Sequence, residues 1–157
     1  MTATLHRATP ADAAVLAPLI GELLQEIMDA IGSPAFHFDL GETRDRLEDF
    51  LRREVYSVFF ARAEDDTIAG LIALSESHAL YAEGAFGIIP ELYVRPAWRS
   101  RQVGLALLAA ARDHGRERGW SRLEVTTPPL PEFDRTLQFY QREGFAISGG
   151  RKLKIEL

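Results

Sequence analysis

Cysteine is absent from the 157-residue chain, which excludes disulfides, thiolate-bound metal and a cysteine nucleophile and leaves the redox compartment open. Long apolar runs are missing as well. None approaches the roughly 18 residues that a helix needs to cross a bilayer. Residues 1–10 lack the apolar block of a secretory signal, so the expectation is a cytoplasmic protein that touches no membrane. The four histidines, His6, His37, His78 and His114, show no metal-ligand spacing, and no metal is expected. No Gly-x-Ser-x-Gly elbow and no G-x-x-x-x-G-K-[ST] loop occurs, which removes the main signatures of acyl-serine and nucleotide hydrolysis. Repeats, low-complexity tracts and linkers are also missing, so one domain over residues 1–157 is expected.

Charge is present but unevenly spread. The net charge of -5 divides into 6 Lys+Arg against 14 Asp+Glu over residues 1–80, and 12 against 9 over residues 81–157. A basic C-terminal half suits an anionic ligand. An acidic N-terminal half argues against nucleic acid and favours a cationic partner, unless its carboxylates only solvate helix faces.

Periodicity supplies the elements. A strand opens the chain, and Thr9-Pro10-Ala11-Asp12 reads as a helix start with a threonine cap and an acidic capping-box partner. Leu16, Leu19, Ile20, Leu23, Leu24, Ile27 and Ile31 follow at helical spacing up to Gly32, with Pro18 expected to kink the helix or delay its regular part. A second, acidic helix is expected over residues 42–54. Strands are expected over 55–63 and 67–78, joined by Glu64-Asp65-Asp66, and over 85–94. Pro90 cannot donate to a ladder, which predicts a bulge or lost pairing just before Glu91. A helix over 103–118 closed by Gly119, a strand over 120–127, a helix over 134–143 and a terminal hairpin over 145–157 turning at Gly149-Gly150 complete the order. The expected fold is α/β, a mixed and mostly antiparallel central sheet with helices on both faces, in the order βααβββαβαββ.

The segment most charged with chemical meaning is Glu91-Leu92-Tyr93-Val94-Arg95-Pro96-Ala97-Trp98-Arg99-Ser100-Arg101-Gln102-Val103-Gly104-Leu105-Ala106. A strand ends, a basic loop follows, and a helix opens at small residues. Loop N–H groups converging at a helix N-terminus, with Arg99 and Arg101 as mobile cations, form a phosphate site; the alternative is an ordinary strand-to-helix turn with solvated arginines.

This segment resembles the pyrophosphate loop of the GNAT superfamily of N-acetyltransferases, in which a strand reading like Glu-Leu-Tyr-Val leads to Pro and an R/Q-x-x-G-x-G/A loop. Two registers fit. Arg101-x-x-Gly104-x-Ala106 matches the letters, whereas spacing from Pro96 favours Arg99-x-x-Gln102-x-Gly104, with Gln102 where the family carries Gly. That substitution suits a backbone with φ below zero and is strained above it. Phe139-Tyr140-Gln141-Arg142-Glu143-Gly144-Phe145 resembles the family's F/L-Y-x-x-x-G-F segment. Phe133 departs from it, since many relatives carry there an Asn that bonds the pantetheine arm.

The resemblance implies acetyl transfer from acetyl-CoA, as cosubstrate, to an amine of a small molecule or peptide, with no metal and no nucleic acid partner; homodimerisation is left open. It assigns Glu91 as the base and Tyr140 as the acid that protonates the thiolate. It gives the cofactor Leu92, Tyr93 and Val94 at the strand and Arg99, Ser100, Arg101, Gln102, Val103, Gly104 and Leu105 in the loop. His37, between the first two helices, is a candidate acceptor contact. The rival reading is a module of the same fold that binds acyl-CoA and transfers nothing.

Overall fold

Alternating apolar residues place the strands, and the computed structural model, which describes residues 2–157, pairs them into one five-stranded sheet in the order β1-β2-β3-β4-β5. The strands are β1 (Ala3–Arg7), β2 (Ser57–Ala63), β3 (Ile68–Ala79), β4 (Gly84–Val94) and β5 (Leu123–Val125). The first four are successively antiparallel and β5 lies parallel to β4. Helices α1 (Ala13–Ile31), α2 (Leu40–Arg52), α3 (Val103–Arg118) and α4 (Asp134–Arg142) complete the chain. The main chain forms two compact units, Met1–Thr126 and Thr127–Leu157. Among the described residues no helix is long and apolar enough to cross a membrane.

In the first unit the helices take opposite faces of the sheet. Ala13, Leu16 and Leu19 of α1 and Leu47 and Leu51 of α2 are buried in one core with Val58, Phe60, Leu71, Ala73 and Tyr93, which share a face because strand side chains alternate. α3 packs on β2, β3 and β4 through buried Leu107, Leu108 and Ala111, and its buried His114 meets the edges of Phe59 and Trp120. The start of α1 follows its chemistry. The Asp12 carboxylate accepts from the Thr9 N–H at 2.7 Å, a 3-10 turn over Pro10–Asp12 absorbs the proline, and regular helix runs from Ala13 through Pro18. α2 begins two residues earlier than expected, because Asp39 caps it by accepting from the Glu42 N–H at 2.9 Å.

The expected irregularity at Pro90 is present. Ala73 pairs with Glu91 but Ser75 pairs with Ile88, so two steps on β3 oppose three on β4. The extra residue lies at Ile89-Pro90, where the proline has no N–H to give. Pairing of β4 with β5 stops there too, its last partners being Ile89 and Val125.

The second unit carries the one large departure from the expected fold. Residues 145–157 form no hairpin, and Leu153, Ile155 and Leu157 stand exposed. Alternation specifies a strand only where one face is buried. A lone two-stranded hairpin is marginal in water, and this unit offers no third strand.

Trp120 fixes the lower end of the site-bearing strand. Its ring covers Gly87 of β4 and Gly115 of α3 so closely that a Cβ on Gly87 would lie 2.3 Å from the ring, and its Nε1–H donates to Glu76 at 2.6 Å. Replacing Gly87 with Ala overpacks this contact. It is expected to destabilise by about 1–3 kcal/mol, read as a Tm fall of several degrees; an unchanged Tm would show that the ring moves freely.

Candidate active site

Glu91 leaves the bulge on the face that α1 and α2 cover, since Glu91, Ala73 and Val58 form one row across β4, β3 and β2. Tyr56 reaches it from the junction of α2 and β2. The phenol donates to Glu91 Oε2 at 3.0 Å and Oε1 at 3.2 Å. Burial raises the Glu91 pKa above the ordinary carboxylate value, with the Tyr56 hydrogen bond opposing it. Burial also raises the Tyr56 phenol, helped by the adjacent carboxylate, so it stays a donor. Glu91 is therefore a partly buried carboxylate with a single polar side-chain partner rather than a solvated strand end.

The main chain beyond Glu91 is left partly open. The Arg95 N–H donates to the Ala69 carbonyl at 2.9 Å. Alternation in an antiparallel ladder then turns the groups of Tyr93 and Glu91 to β3, and those of Leu92 and Val94 the other way. That other side has lost β5. The N–H groups of Leu92 and Val94 thus face an unpaired edge, whereas the Tyr93 N–H belongs to the ladder and its side chain to the core.

Past Val94 the chain turns through Pro96–Trp98 and enters α3 by two left-handed residues, Ser100 at φ 62° and Gln102 at φ 64°. The condition under which Gln102 was compatible, φ below zero, is not met. A side chain occupies a conformation that glycine takes without strain, at about 1–2 kcal/mol. The same geometry leaves donors free of the helix. Ala106 is the first residue of α3 whose N–H reaches back, to the Gln102 carbonyl at 3.1 Å, so the N–H groups of Val103, Gly104 and Leu105 have no intrahelical acceptor. They carry the positive end of a 16-residue helix.

The two loop arginines differ from the expected pair of mobile cations. Arg101 is exposed, with its guanidinium 5.2 Å from the Trp98 ring centre. Arg99 is held: it meets Glu26 of α1 at 2.7 Å and donates from Nε to the Val94 carbonyl at 2.9 Å. Arg95 similarly meets Glu22 through two bonds at 2.9 and 3.1 Å, and Tyr93 Oη donates to Glu22 at 3.3 Å. Burial and the Glu22 and Glu26 carboxylates push the Tyr93 phenol up to about 12. Acidic α1 and the basic loop thus neutralise each other in part, which the charge count by halves did not reveal.

Tyr140 lies in the second unit, on α4. It is buried, with its ring 5.4 and 5.3 Å from those of Phe139 and Phe145, and burial raises its pKa. Phe133 is the residue just before α4. His37 is exposed and 3.6 Å from Glu42. Among the described residues no group of three or more His, Asp or Glu could hold a metal ion. Sequence reasoning missed Tyr56, Glu22 and Glu26. Tyr56 shares the alternation of Val58 and Phe60, a signal for its face but not for its partner.

The left-handed residue at the helix entrance is open to test. Gln102→Gly is expected to match or exceed the wild-type Tm, while β-branched Gln102→Val loses about 1–3 kcal/mol. A valine variant more stable than the glycine variant would contradict φ 64° at this position.

The acetyltransferase (GNAT) family model matches residues 24–145. No curated protein matches the chain in sequence. Among solved structures, a candidate acetyltransferase from Arthrobacter sp. FB24 is 31% identical, with 98% of this chain and 96% of that one covered at a TM-score of 0.77. Ribosomal-protein-alanine N-acetyltransferase from Brucella melitensis biovar Abortus 2308 is 18% identical, with 100% of both chains covered at 0.74. An aminoglycoside acetyltransferase, meta-AAC0020, from an uncultured soil metagenomic sample is 20% identical, with 99% and 97% covered at 0.74. The last two likenesses establish the fold alone. With the family model spanning most of its length, the chain belongs to the acetyltransferase (GNAT) family.

Proposed function

We propose that this protein moves an acetyl group from acetyl-CoA to an amine of a small molecule or peptide, by direct attack with both substrates bound. The observation that carries the reading is the placement of Glu91. A partly buried carboxylate adjoins a strand edge unpaired at Leu92 and Val94, and that strand runs into a loop and a helix N-terminus rich in free donors. The edge suits the amides of a pantetheine arm and the thioester oxygen; the N–H groups of Val103, Gly104 and Leu105 with the Arg101 cation suit a pyrophosphate.

Amine acceptors are protonated at neutral pH, so the first task is to take a proton. Glu91 accepts it, through a water where distance requires. The C–N bond then forms as the C–S bond breaks, the departing thiolate takes a proton, and the second proton that nitrogen loses as the amide forms makes that one good, so the proton held by Glu91 is the one returned to water. Tyr140 gives the thiolate its proton on the resemblance of Phe139 to Phe145. The raised pKa of Glu91 suits a base working near neutral pH, because a more acidic carboxylate holds a proton too weakly. The neighbours named for ribosomal-protein alanine and for aminoglycosides suggest two acceptor classes to assay first.

The test is CoA release from acetyl-CoA across polyamines, aminoglycosides, amino acids and peptide N-termini. At least one amine is expected to turn over. Tight acetyl-CoA binding with no turnover on any of them would favour a binding module instead. With an active acceptor, Glu91→Gln should lower kcat by ~10²-fold or more. It should also abolish the acidic limb of the kcat/KM profile, which in the wild type lies above the ordinary carboxylate range because burial raises the Glu91 pKa. A limb surviving in Glu91→Gln would assign the base elsewhere. Tyr140→Phe keeps the ring and deletes the hydroxyl; kcat is expected to fall ~10²-fold with CoA affinity intact. Full activity would make Tyr140 a packing residue.

A further inference from the structure

We propose that Tyr56 is the positioning residue for Glu91: its hydroxyl, donated to both carboxylate oxygens from the residue just before β2, holds the carboxylate in one orientation and in its proton-accepting form. The inference rests on the reading of Glu91 as the base, and adds a residue that no motif marks.

The geometry is specific. Glu91 and Val58 lie two strands apart with Ala73 between them, and Tyr56 precedes Val58 by two residues on the same face. Neighbouring strands are ~4.8 Å apart, so a side chain bridging β2 to β4 must span nearly 10 Å. A tyrosine reaching toward a glutamate does so, and the methyl of Ala73 leaves the passage clear. Tyr56 is itself fixed: its N–H donates to the Phe50 carbonyl at 3.3 Å and its ring lies 5.0 Å from that of Phe50, so α2 sets where the hydroxyl points. The donation is shared between Oε1 and Oε2 at 3.2 and 3.0 Å, leaving lone pairs on both oxygens for a water or an amine.

The chemistry gives the bond its direction. A phenol held at high pKa never competes for the proton that Glu91 takes, and its hydrogen bond favours the ionised carboxylate against the burial that disfavours it. Among the titratable groups on the surrounding elements, Arg62 of β2 lies over the Phe60 ring at 5.3 Å, and the following have partners of their own. On α1, Glu22 and Glu26 pair with Arg95 and Arg99; on β4, Tyr93 donates to Glu22. On α2, Glu48 and Asp49 pair with Arg52 and Arg53, and on β1 His6 stacks on Phe60. None of them hydrogen-bonds Glu91. Tyr56 is thus the group that offsets the burial, and its removal must move the Glu91 pKa further up.

The experiment is a carboxyl-detected NMR titration of the full chain with ¹³C-labelled glutamate, the Glu91 signal being assigned by its loss in Glu91→Gln. It needs neither cofactor nor acceptor. In Tyr56→Phe the Glu91 midpoint is expected at higher pH than in the wild type, and the acidic limb of kcat/KM, measured by CoA release with whichever of spermidine, kanamycin or an alanyl peptide turns over, is expected to move up by the same interval. At pH above both limbs the variant should have a lower kcat than the wild type, because its carboxylate is no longer held in one orientation, with KM for acetyl-CoA unchanged. An unmoved Glu91 midpoint overturns the proposal, whatever happens to activity. A moved midpoint with an unmoved limb upholds the control of Glu91 by Tyr56 and instead removes Glu91 as the base.

Discussion

Pro90 has no amide hydrogen, and the arrangement of the site depends on that missing donor. A strand continuing in register would place Glu91 on the opposite face. The extra residue at Ile89-Pro90 instead turns Glu91 toward α1 and α2, and it coincides with the end of pairing to β5. One irregularity therefore accounts for a buried carboxylate and an open main-chain edge within three residues of each other. The adjoining segment is packed at its other end by Trp120 against Gly87, so the bulge sits between a stretch of β4 paired on both sides and one paired to β3 alone.

Electrostatics then link α1 to the loop that follows β4. Glu22 and Glu26 of α1 hold Arg95 and Arg99, and Arg99 also rests on the Val94 carbonyl, part of the open edge. Pairs this exposed contribute little to stability. Their importance is positional, because the Arg99 guanidinium on the open edge is already tied to α1. The carboxylates left to attract a cationic acceptor are fewer than the acidic N-terminal half suggests.

Much of the frame was legible from local patterns. Hydrophobic alternation placed β2, β3 and β4 to within two residues, Gly119 and the cations before it marked the end of α3, and Pro90 announced the bulge. The family resemblance lay in two contiguous runs, Glu91 to Ala106 and Phe139 to Phe145, where sequence spacing is also spatial spacing. What stayed hidden depends on contacts between distant segments. Tyr56 and Glu91 are 35 residues apart, and Arg99 and Glu26 are 73 apart, so no local pattern joins them. The sign of φ at Gln102 was hidden because glutamine does not itself signal a left-handed turn. The terminal hairpin failed for the converse reason: residues 152–157 alternate as a strand does, but alternation supplies no partner.

On the proposed function, the open edge of β4 receives the arm of the acyl donor while Tyr93 between the two free positions does not. Amide NMR of the labelled protein titrated with CoA measures this most directly. On binding, the Leu92 and Val94 amides are expected to shift and become protected from hydrogen exchange, with the Tyr93 amide, already in the ladder, protected before and after. CoA that binds while leaving the Leu92 and Val94 amides unshifted and exchanging as before would contradict that placement of the arm.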